Sequence, residues 1–214
     1  MLAVAMLVAT LSGPATPALV AQLHQACPAT PIDTVVTAER RCAAIEVSGH
    51  VDATGVALDP AFTVLAAPSL FARPVPGRAL LAGFTADGRE LFEFPFQPNG
   101  AFTLVLPLVP QLAAALTSLT LTVDGGTYRR IATLHDAPSA EAISTDENHV
   151  VFAWNAQEFP GVRIVGDRSG EAIATFQGDE TYQQVVIRTS ERRFIVSFSD
   201  GIHSIDRTVT VFGR

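Results

Sequence analysis

The sequence predicts an all-β protein, on the evidence of two long alternating stretches and a regular series of shorter ones. Apolar residues alternate with polar or small residues over 46–65 and 77–96. Each stretch is interrupted by a short turn that carries Asp and Gly, at Asp52–Gly55 and at Thr85–Gly88. Period-two alternation about such a turn is typical of a half-buried β-hairpin. After residue 148, shorter apolar runs recur between turns at intervals of about 8–12 residues.

The rest of the first half predicts a crossover, further strands and one helix. Residues 66–78 contain three prolines and are expected to run extended rather than to pair. A strand is predicted at 101–106, and a helix at 108–116 because Pro110 falls in its first turn and alanines follow. Strands are also expected on both sides of the turn at Asp124–Gly126.

The second half begins after an acidic, small-residue stretch at 135–148, which predicts a linker or an inter-domain strand region. Strands are then expected around Trp154, Ile164, Phe176, Ile187, Phe198 and Val211. This spacing indicates an immunoglobulin-like or fibronectin-like β-sandwich with Trp154 in its core. The predicted organisation is a signal peptide at 1–21, an N-terminal β-sandwich with a disulfide-pinned arm and one short helix at 22–136, and a C-terminal immunoglobulin-like β-sandwich at 137–214.

The first 21 residues predict a secretory signal peptide, because the run is uncharged, apolar at its start and rich in small residues near Ala18 and Ala21. It lacks the usual positive charge. Pro14 and Pro17 interrupt it, which argues against a transmembrane anchor. A lipoprotein attached through Cys27 is the alternative. The expected location is secreted or periplasmic, in the cell envelope, with no stable membrane span once the signal is removed.

Cys27 and Cys42 are the two cysteines of the chain. In an exported protein an even pair at this spacing predicts a disulfide. A closed loop of about 15 residues contributes on the order of 3 kcal/mol by constraining the unfolded chain. Because two cysteines without clustered His make a poor zinc site, we expect a structural bridge that pins the N-terminal arm against the first strand.

No motif in the sequence predicts a reaction or a cofactor. A net charge of −7 leaves no basic surplus for nucleic acid or an anionic membrane. Gly-x-Ser-x-Gly and phosphate-loop motifs are absent. His203, Ser204 and Asp206 are close in sequence, but on a strand Ser204 and Asp206 share one face and His203 takes the other. We therefore expect a solvated strand end there, with no catalytic, cofactor-binding or metal-binding residue.

Two acidic corners are candidates for a calcium site, at Asp146-Glu147-Asn148 and at Asp179-Glu180. Neither has the alternating spacing of a dedicated calcium loop, so solvated turns are predicted instead.

Other side chains that could form a surface site are aromatic or basic. Tyr128 and Tyr182 are interpreted as rim residues. Phe92, Phe94 and Phe96 are interpreted as core, with an apolar interaction face as the alternative. The arginine pairs are interpreted as solvated strand ends, at Arg40-Arg41, Arg129-Arg130 and Arg192-Arg193.

Several segments carry a resemblance to a known family: Val47–Asp52, Leu58–Phe62, Ala67–Leu70, Phe84–Phe92 and Ser199–Gly201. In these segments the chain resembles the non-catalytic C-terminal β-sandwich region of bacterial secreted metallopeptidase-like proteins. The His-Glu-x-x-His motif of a catalytic domain is absent, and His24, His50, His135, His149 and His203 are isolated in sequence. The resemblance therefore implies an accessory module with no site residue carried over.

The expected function is that of an exported, non-enzymatic accessory or binding module that acts through protein–protein contacts. Its partner would be an exported protein or a cell-surface component. A structural spacer of the envelope or surface is the first alternative. A hydrolase whose site is assembled from distant residues, such as His50, His135 and Asp side chains, is the second, because triads are spatial rather than sequential.

Overall fold

The computed structural model describes residues 41–53, 55–133, 140–144 (backbone only), 148–168, 172–178 and 183–211, and the fold is all-β as predicted. In the first half, alternating apolar residues form eight strands within these ranges: β1 Cys42–Asp52, β2 Gly55–Leu58, β3 Phe62–Ala66, β4 Ala79–Phe84, β5 Glu90–Phe96, β6 Gly100–Pro107, β7 Ser118–Val123 and β8 Gly126–Ile131. The predicted helix is confirmed as a short one, α1, at Pro110–Ala115.

These eight strands form two antiparallel sheets. In one sheet, β1 pairs with β6 along one of its edges. Along its other edge, the first half of β1 pairs with β3 and the second half pairs with β2. The second sheet has the order β5-β4-β7-β8. Their facing side chains form one hydrophobic cluster, which includes Ile45 and Val47 from the first sheet and Leu81 and Leu121 from the second. We call this layered unit the first sandwich.

Both predicted hairpins of the first sandwich are confirmed, as the pairs β1–β2 and β4–β5. The prediction of one strand after the first turn is wrong, because this stretch is divided into two strands, β2 and β3. The division falls at Asp59-Pro60-Ala61, where Asp59 donates its N–H to the carbonyl of Ser48 but Ala61 donates to residue Gly201, far along the chain. Pro60 has no N–H for a sheet ladder, which explains the break.

The extended crossover at 66–78 is also confirmed, with one 3₁₀ turn at Pro68–Leu70. It runs along two strand edges, since Ala72 donates its N–H to Val105 on β6 (2.9 Å) and Val75 donates to Pro95 on β5 (3.0 Å). The crossover therefore protects edges that would otherwise present unpaired backbone groups.

The second half contains β9 Ala140–Ser144, β10 His149–Trp154, β11 Gly161–Gly166, β12 Ala172–Gln177, β13 Gln183–Arg188, β14 Arg193–Ser199 and β15 Ser204–Thr210. They form a three-stranded sheet, β13-β10-β9, and a four-stranded sheet, β12-β11-β14-β15. A second hydrophobic cluster, with Phe152, Ile164 and Phe198 among its members, lies between them. We call this unit the second sandwich.

Trp154 is buried on the central strand β10, as predicted, and its Nε1 donates to the carbonyl of Phe159 (3.1 Å). The stretch predicted as linker contains a strand, β9, which pairs with β10. The predicted domain boundary at 136/137 and the predicted signal peptide at 1–21 lie outside the described residues.

Cys42 is the first residue of β1 and is buried. Cys27 lies outside the described residues, so the Cys27–Cys42 disulfide stays a prediction. In the part of the chain that the structure describes, no helix has the length and apolar character needed to cross a membrane.

Candidate functional site

The two sandwiches are joined by residues 199–203, which are the last residue of β14 and the loop that leads to β15, and we call this segment the joint loop. Ile202 on this loop follows a strand of the second sandwich, yet its side chain belongs to the hydrophobic cluster of the first. It is 0% exposed. Burial of an isoleucine side chain contributes about 1.5–3 kcal/mol, so this residue anchors one sandwich in the core of the other.

Backbone hydrogen bonds reinforce this anchor on both sides of Ile202. Ala61 donates its N–H to the carbonyl of Gly201 (3.0 Å), and Thr133 donates to the carbonyl of Asp200 (3.1 Å). The Thr133 hydroxyl donates to the same Asp200 carbonyl (3.0 Å). In return, the buried Ser199 hydroxyl donates to the carbonyl of Ala61. These bonds satisfy polar groups that the joint removes from water.

The shape of the joint loop is set by Asp200 and Gly201. Asp200 Oδ1 accepts the N–H groups of Ile202 (2.9 Å) and His203 (2.7 Å), which closes an Asx turn. Gly201 has a φ of 107°, a conformation that side chains rarely adopt. A Cβ on Gly201 would also lie 3.1 Å from the carbonyl oxygen of Ile131 on the first sandwich.

His203 bridges the joint loop to the helix of the first sandwich. Its Nδ1 lies 3.4 Å from Asp200 Oδ2, and its Nε2 lies 3.0 Å from the carbonyl oxygen of Ala113. The hydrogen bond with Asp200 raises the pKa of His203 despite its burial. Burial alone would raise the pKa of Asp200, but the hydrogen bonds from His203 and Ile202 outweigh it and hold that pKa below its ordinary value.

A second contact between the sandwiches is made by β11. Arg163 forms an ion pair with Glu46 on β1, and its guanidinium carbon lies 4.4 Å from the centroid of the Phe62 ring. The two side chains of the ion pair are 17% and 26% exposed, which limits screening by water. Gly161 faces Pro60 so closely that a Cβ would lie 2.7 Å from the Cβ of the proline.

A groove of about 430 Å³ runs beside these contacts. Its walls come from both sandwiches, and include Leu65 on β3, Val165 on β11 and Ile195 on β14. At one end, Thr63 of β3 donates its N–H to the Ser204 hydroxyl (2.9 Å), which donates to the Thr63 carbonyl (3.3 Å). The outward edge of β3 therefore faces the groove.

Two of the three residues considered for a triad make contacts elsewhere. His203 contacts Asp200 and Ala113, and Ser204 contacts the backbone of Thr63. Asp206 lies on β15 and lines the groove. The expectation that His203 belongs to a solvated strand end is wrong, because the joint partly buries it.

The other predicted residues have mixed outcomes. Phe94 and Phe96 are buried in the first core and Phe92 packs against it, as predicted. Tyr128 is partly exposed. Besides Cys27, these residues named above lie outside the described ranges: His24, Arg40, His135, Asp146, Glu147, Asp179, Glu180 and Tyr182. Among the side chains that the structure does describe, no group of three or more His, Cys, Asp or Glu residues is placed to hold a metal ion.

One arginine prediction is wrong. Arg130 is not a solvated strand end, because its guanidinium donates to the carbonyl of Leu58 through Nε (2.9 Å) and a terminal nitrogen (2.6 Å). Burial lowers the pKa of this guanidinium. Arg193, in contrast, keeps an exposed side chain and pairs with Asp167 (3.2 Å).

No protein-family model matches the sequence, and no curated protein matches it either.

Proposed function

We propose that the protein is an exported, non-catalytic accessory module that binds another protein along the groove between its two sandwiches. The observation that carries this proposal is the construction of the groove. It is walled by both sandwiches, and the joint loop, Arg163 and Ser204 hold those walls together. A surface that needs both sandwiches gives a reason for the chain to fix their relative orientation.

The edge of β3 supports an extended segment of a partner protein as the occupant. The N–H and carbonyl of Thr63 point away from β1 towards Ser204. Backbone groups two residues apart on a strand point the same way, so those of Leu65 face the groove. The Leu65 side chain is 67% exposed. An added strand would find a donor, an acceptor and an apolar contact there, as in β-strand addition.

The experiment is a cross-linking capture with the tagged mature chain against the envelope and secreted fractions of its own host. The captured protein is identified, purified and titrated against two variants. Leu65→Asp places a charge on the edge of β3, and we expect it to weaken binding at least about tenfold. Val186→Asp is the matched control, because Val186 is 62% exposed on β13, away from the groove.

Each outcome has a definite meaning. Equal binding by both variants contradicts the groove as the contact surface. If the chain self-associates and Leu65→Asp abolishes this self-association, the structural spacer replaces the accessory module as the proposed role. The resemblance to secreted metallopeptidase-like proteins makes an exported peptidase the first partner to test. Turnover of a peptide or ester by the purified chain, lost on substitution of one defined residue, would contradict the non-catalytic proposal.

A further inference from the structure

His203 is placed where its protonation state matters to the contact between the sandwiches. Both ring nitrogens face oxygen acceptors, Asp200 Oδ2 at 3.4 Å and the Ala113 carbonyl at 3.0 Å. Only the imidazolium has an N–H on each nitrogen. The neutral ring leaves one acceptor without its donor and turns a lone pair towards an oxygen. Protonated His203 therefore fits this position better than neutral His203.

The position of His203 also couples it to the anchor of the joint. Ile202, the preceding residue, is completely buried in the first core, and the N–H groups of both residues bind Asp200 Oδ1. A change in the contact of His203 with Ala113 acts on the segment that inserts Ile202. Because Ile202 and His203 are adjacent, no flexible segment lies between the titrating ring and the buried isoleucine side chain.

The charged surroundings of His203 leave Asp200 as its ionic partner. Helix α1, which supplies Ala113, has the sequence Pro-Gln-Leu-Ala-Ala-Ala and carries no titratable side chain. On β8, the Arg130 guanidinium is bound to the carbonyl of Leu58. Glu158 lies next to Thr133 in space, and its carboxylate accepts a hydrogen bond from the side chain of Asn155 (2.9 Å). On β15, Asp206 and Arg207 are exposed.

We propose that His203 is a proton-dependent latch: with its ring protonated it holds the joint loop against α1, and loss of that proton as pH rises loosens the contact between the sandwiches. The latch is a property of the isolated chain and does not depend on the identity of any partner. Its failure and the failure of the proposed function are therefore separate results.

The contacts of His203 also determine whether its stabilisation of the joint rises or falls with pH. Because the hydrogen bond with Asp200 raises the pKa of His203, the folded chain holds the proton more tightly than the unfolded chain. The stabilisation is complete below the pKa of His203 in the unfolded chain. It is lost as pH rises through the higher pKa of the folded chain.

The test measures amide hydrogen exchange by NMR in the full chain from about pH 5 to about pH 9, corrected for intrinsic exchange at each pH. The amides of Ala61 and Thr133 report the joint, because both donate across it. Ring signals of His203 give its titration directly. We expect protection of the two joint amides to fall about tenfold as His203 loses its proton, while amides of the two cores keep theirs.

Three variants make the result specific. In His203→Gln the fall with pH should disappear, since the amide of Gln does not titrate. In Asp200→Asn the titration of His203 and the fall in protection should both move to lower pH. His50→Gln, which removes a histidine from β1, should behave like the unchanged chain. Trp154 fluorescence verifies folding of each variant.

Three results would overturn the latch. One is constant protection of Ala61 and Thr133 through the titration of His203. Another is the same fall in His203→Gln as in the unchanged chain. The third is a His203 titration that Asp200→Asn does not move.

Discussion

The two hydrophobic cores differ in where their side chains come from. The first core draws its described members from β1, β2, β4, β5, β6 and β7 and from segments between the strands of the first sandwich, and also takes Ile202 from the joint loop. The described members of the second core all come from residues 150–211, within the second sandwich itself. The dependence is therefore one-sided: the first core has a position that only the joint loop fills.

The largest loss of stability is expected from Ile202→Ala. Removing the buried side chain leaves a cavity in the first core, and we expect the free energy of unfolding to fall by about 2–5 kcal/mol. Ile205→Ala, three residues on and partly exposed, should change it by less than about 0.5 kcal/mol. Urea denaturation measures both.

Hydrogen exchange shows which of the two sandwiches loses stability in Ile202→Ala. In Ile202→Ala, strand amides of the first sandwich should lose more protection than those of the second. Equal loss in the two sandwiches, or equal stability of the two alanine variants, would contradict the one-sided dependence.

A smaller effect is expected from Gly201→Ala, which strains the joint loop without removing an apolar side chain. The added Cβ meets an unfavourable φ of 107° and lies close to the carbonyl of Ile131. We expect a loss of about 1–3 kcal/mol. Gly88→Ala is the control, since Gly88 also has a positive φ (81°) but no atom near the added Cβ. If thermal unfolding shows equal losses, contact across the joint contributes nothing beyond backbone strain.

The Arg163–Glu46 ion pair allows a double-mutant cycle across the joint. Gln replaces each residue singly and then together, and we expect a coupling energy of about 1–2 kcal/mol because both side chains are largely buried. The exposed pair Arg78–Asp124 lies within the first sandwich, with side chains 45% and 62% exposed. Its coupling should be about 0.2–1 kcal/mol. A larger coupling for the exposed pair would show that the joint ion pair is not a stabilising contact.

The smallest effect at neutral pH is expected from Asp200→Asn, at about 1 kcal/mol, because Asn still accepts the two backbone N–H groups. The pKa of Asp200 is lowered, so its carboxylate stabilises the fold above the pKa of the unfolded chain. That stabilisation is lost as pH falls through the lower pKa of the folded chain. The difference in stability between the unchanged chain and Asp200→Asn should therefore shrink in acid.

Glu90 provides a control of opposite sign. Burial, together with the neighbouring Glu93, raises its pKa. Its contribution is therefore more favourable at low pH and declines as pH rises. Unfolding curves across the acid range should show opposite trends for Asp200→Asn and Glu90→Gln. A stability difference for Asp200→Asn that does not change with pH would contradict the assigned role of the carboxylate.

Much of the fold could be predicted because its signals are local. The Asp-Gly turns, the alternation in β1 and β5 and the first-turn proline Pro110 followed by alanines each act over a few residues, and the structure confirms them. The burial of Trp154 was also predictable, since a lone Trp among regularly spaced strands belongs to a sandwich core. The sequence left β9 open between a linker and a strand region, because its small and polar residues, AEAIS, lack a strong alternating pattern.

The joint was not predictable, although Ser199–Gly201 was identified as a turn. Its contacts span 138 residues from Ser199 to Ala61 and 90 residues from His203 to Ala113. No local pattern distinguishes an apolar residue of a turn that enters a distant core from one that is exposed. Ile202, between two turn residues and a histidine, gave no periodic signal of its burial.

If the joint is rigid, the two sandwiches tumble in solution as one body. ¹⁵N relaxation of strand amides in the unmodified chain, measured below the titration of His203, gives the rotational diffusion of each sandwich. We predict that a single diffusion tensor fits amides of both, because Ile202, the joint hydrogen bonds and Arg163 hold them together. Two separate tensors, with distinct correlation times for the first and second sandwiches, would contradict the joint.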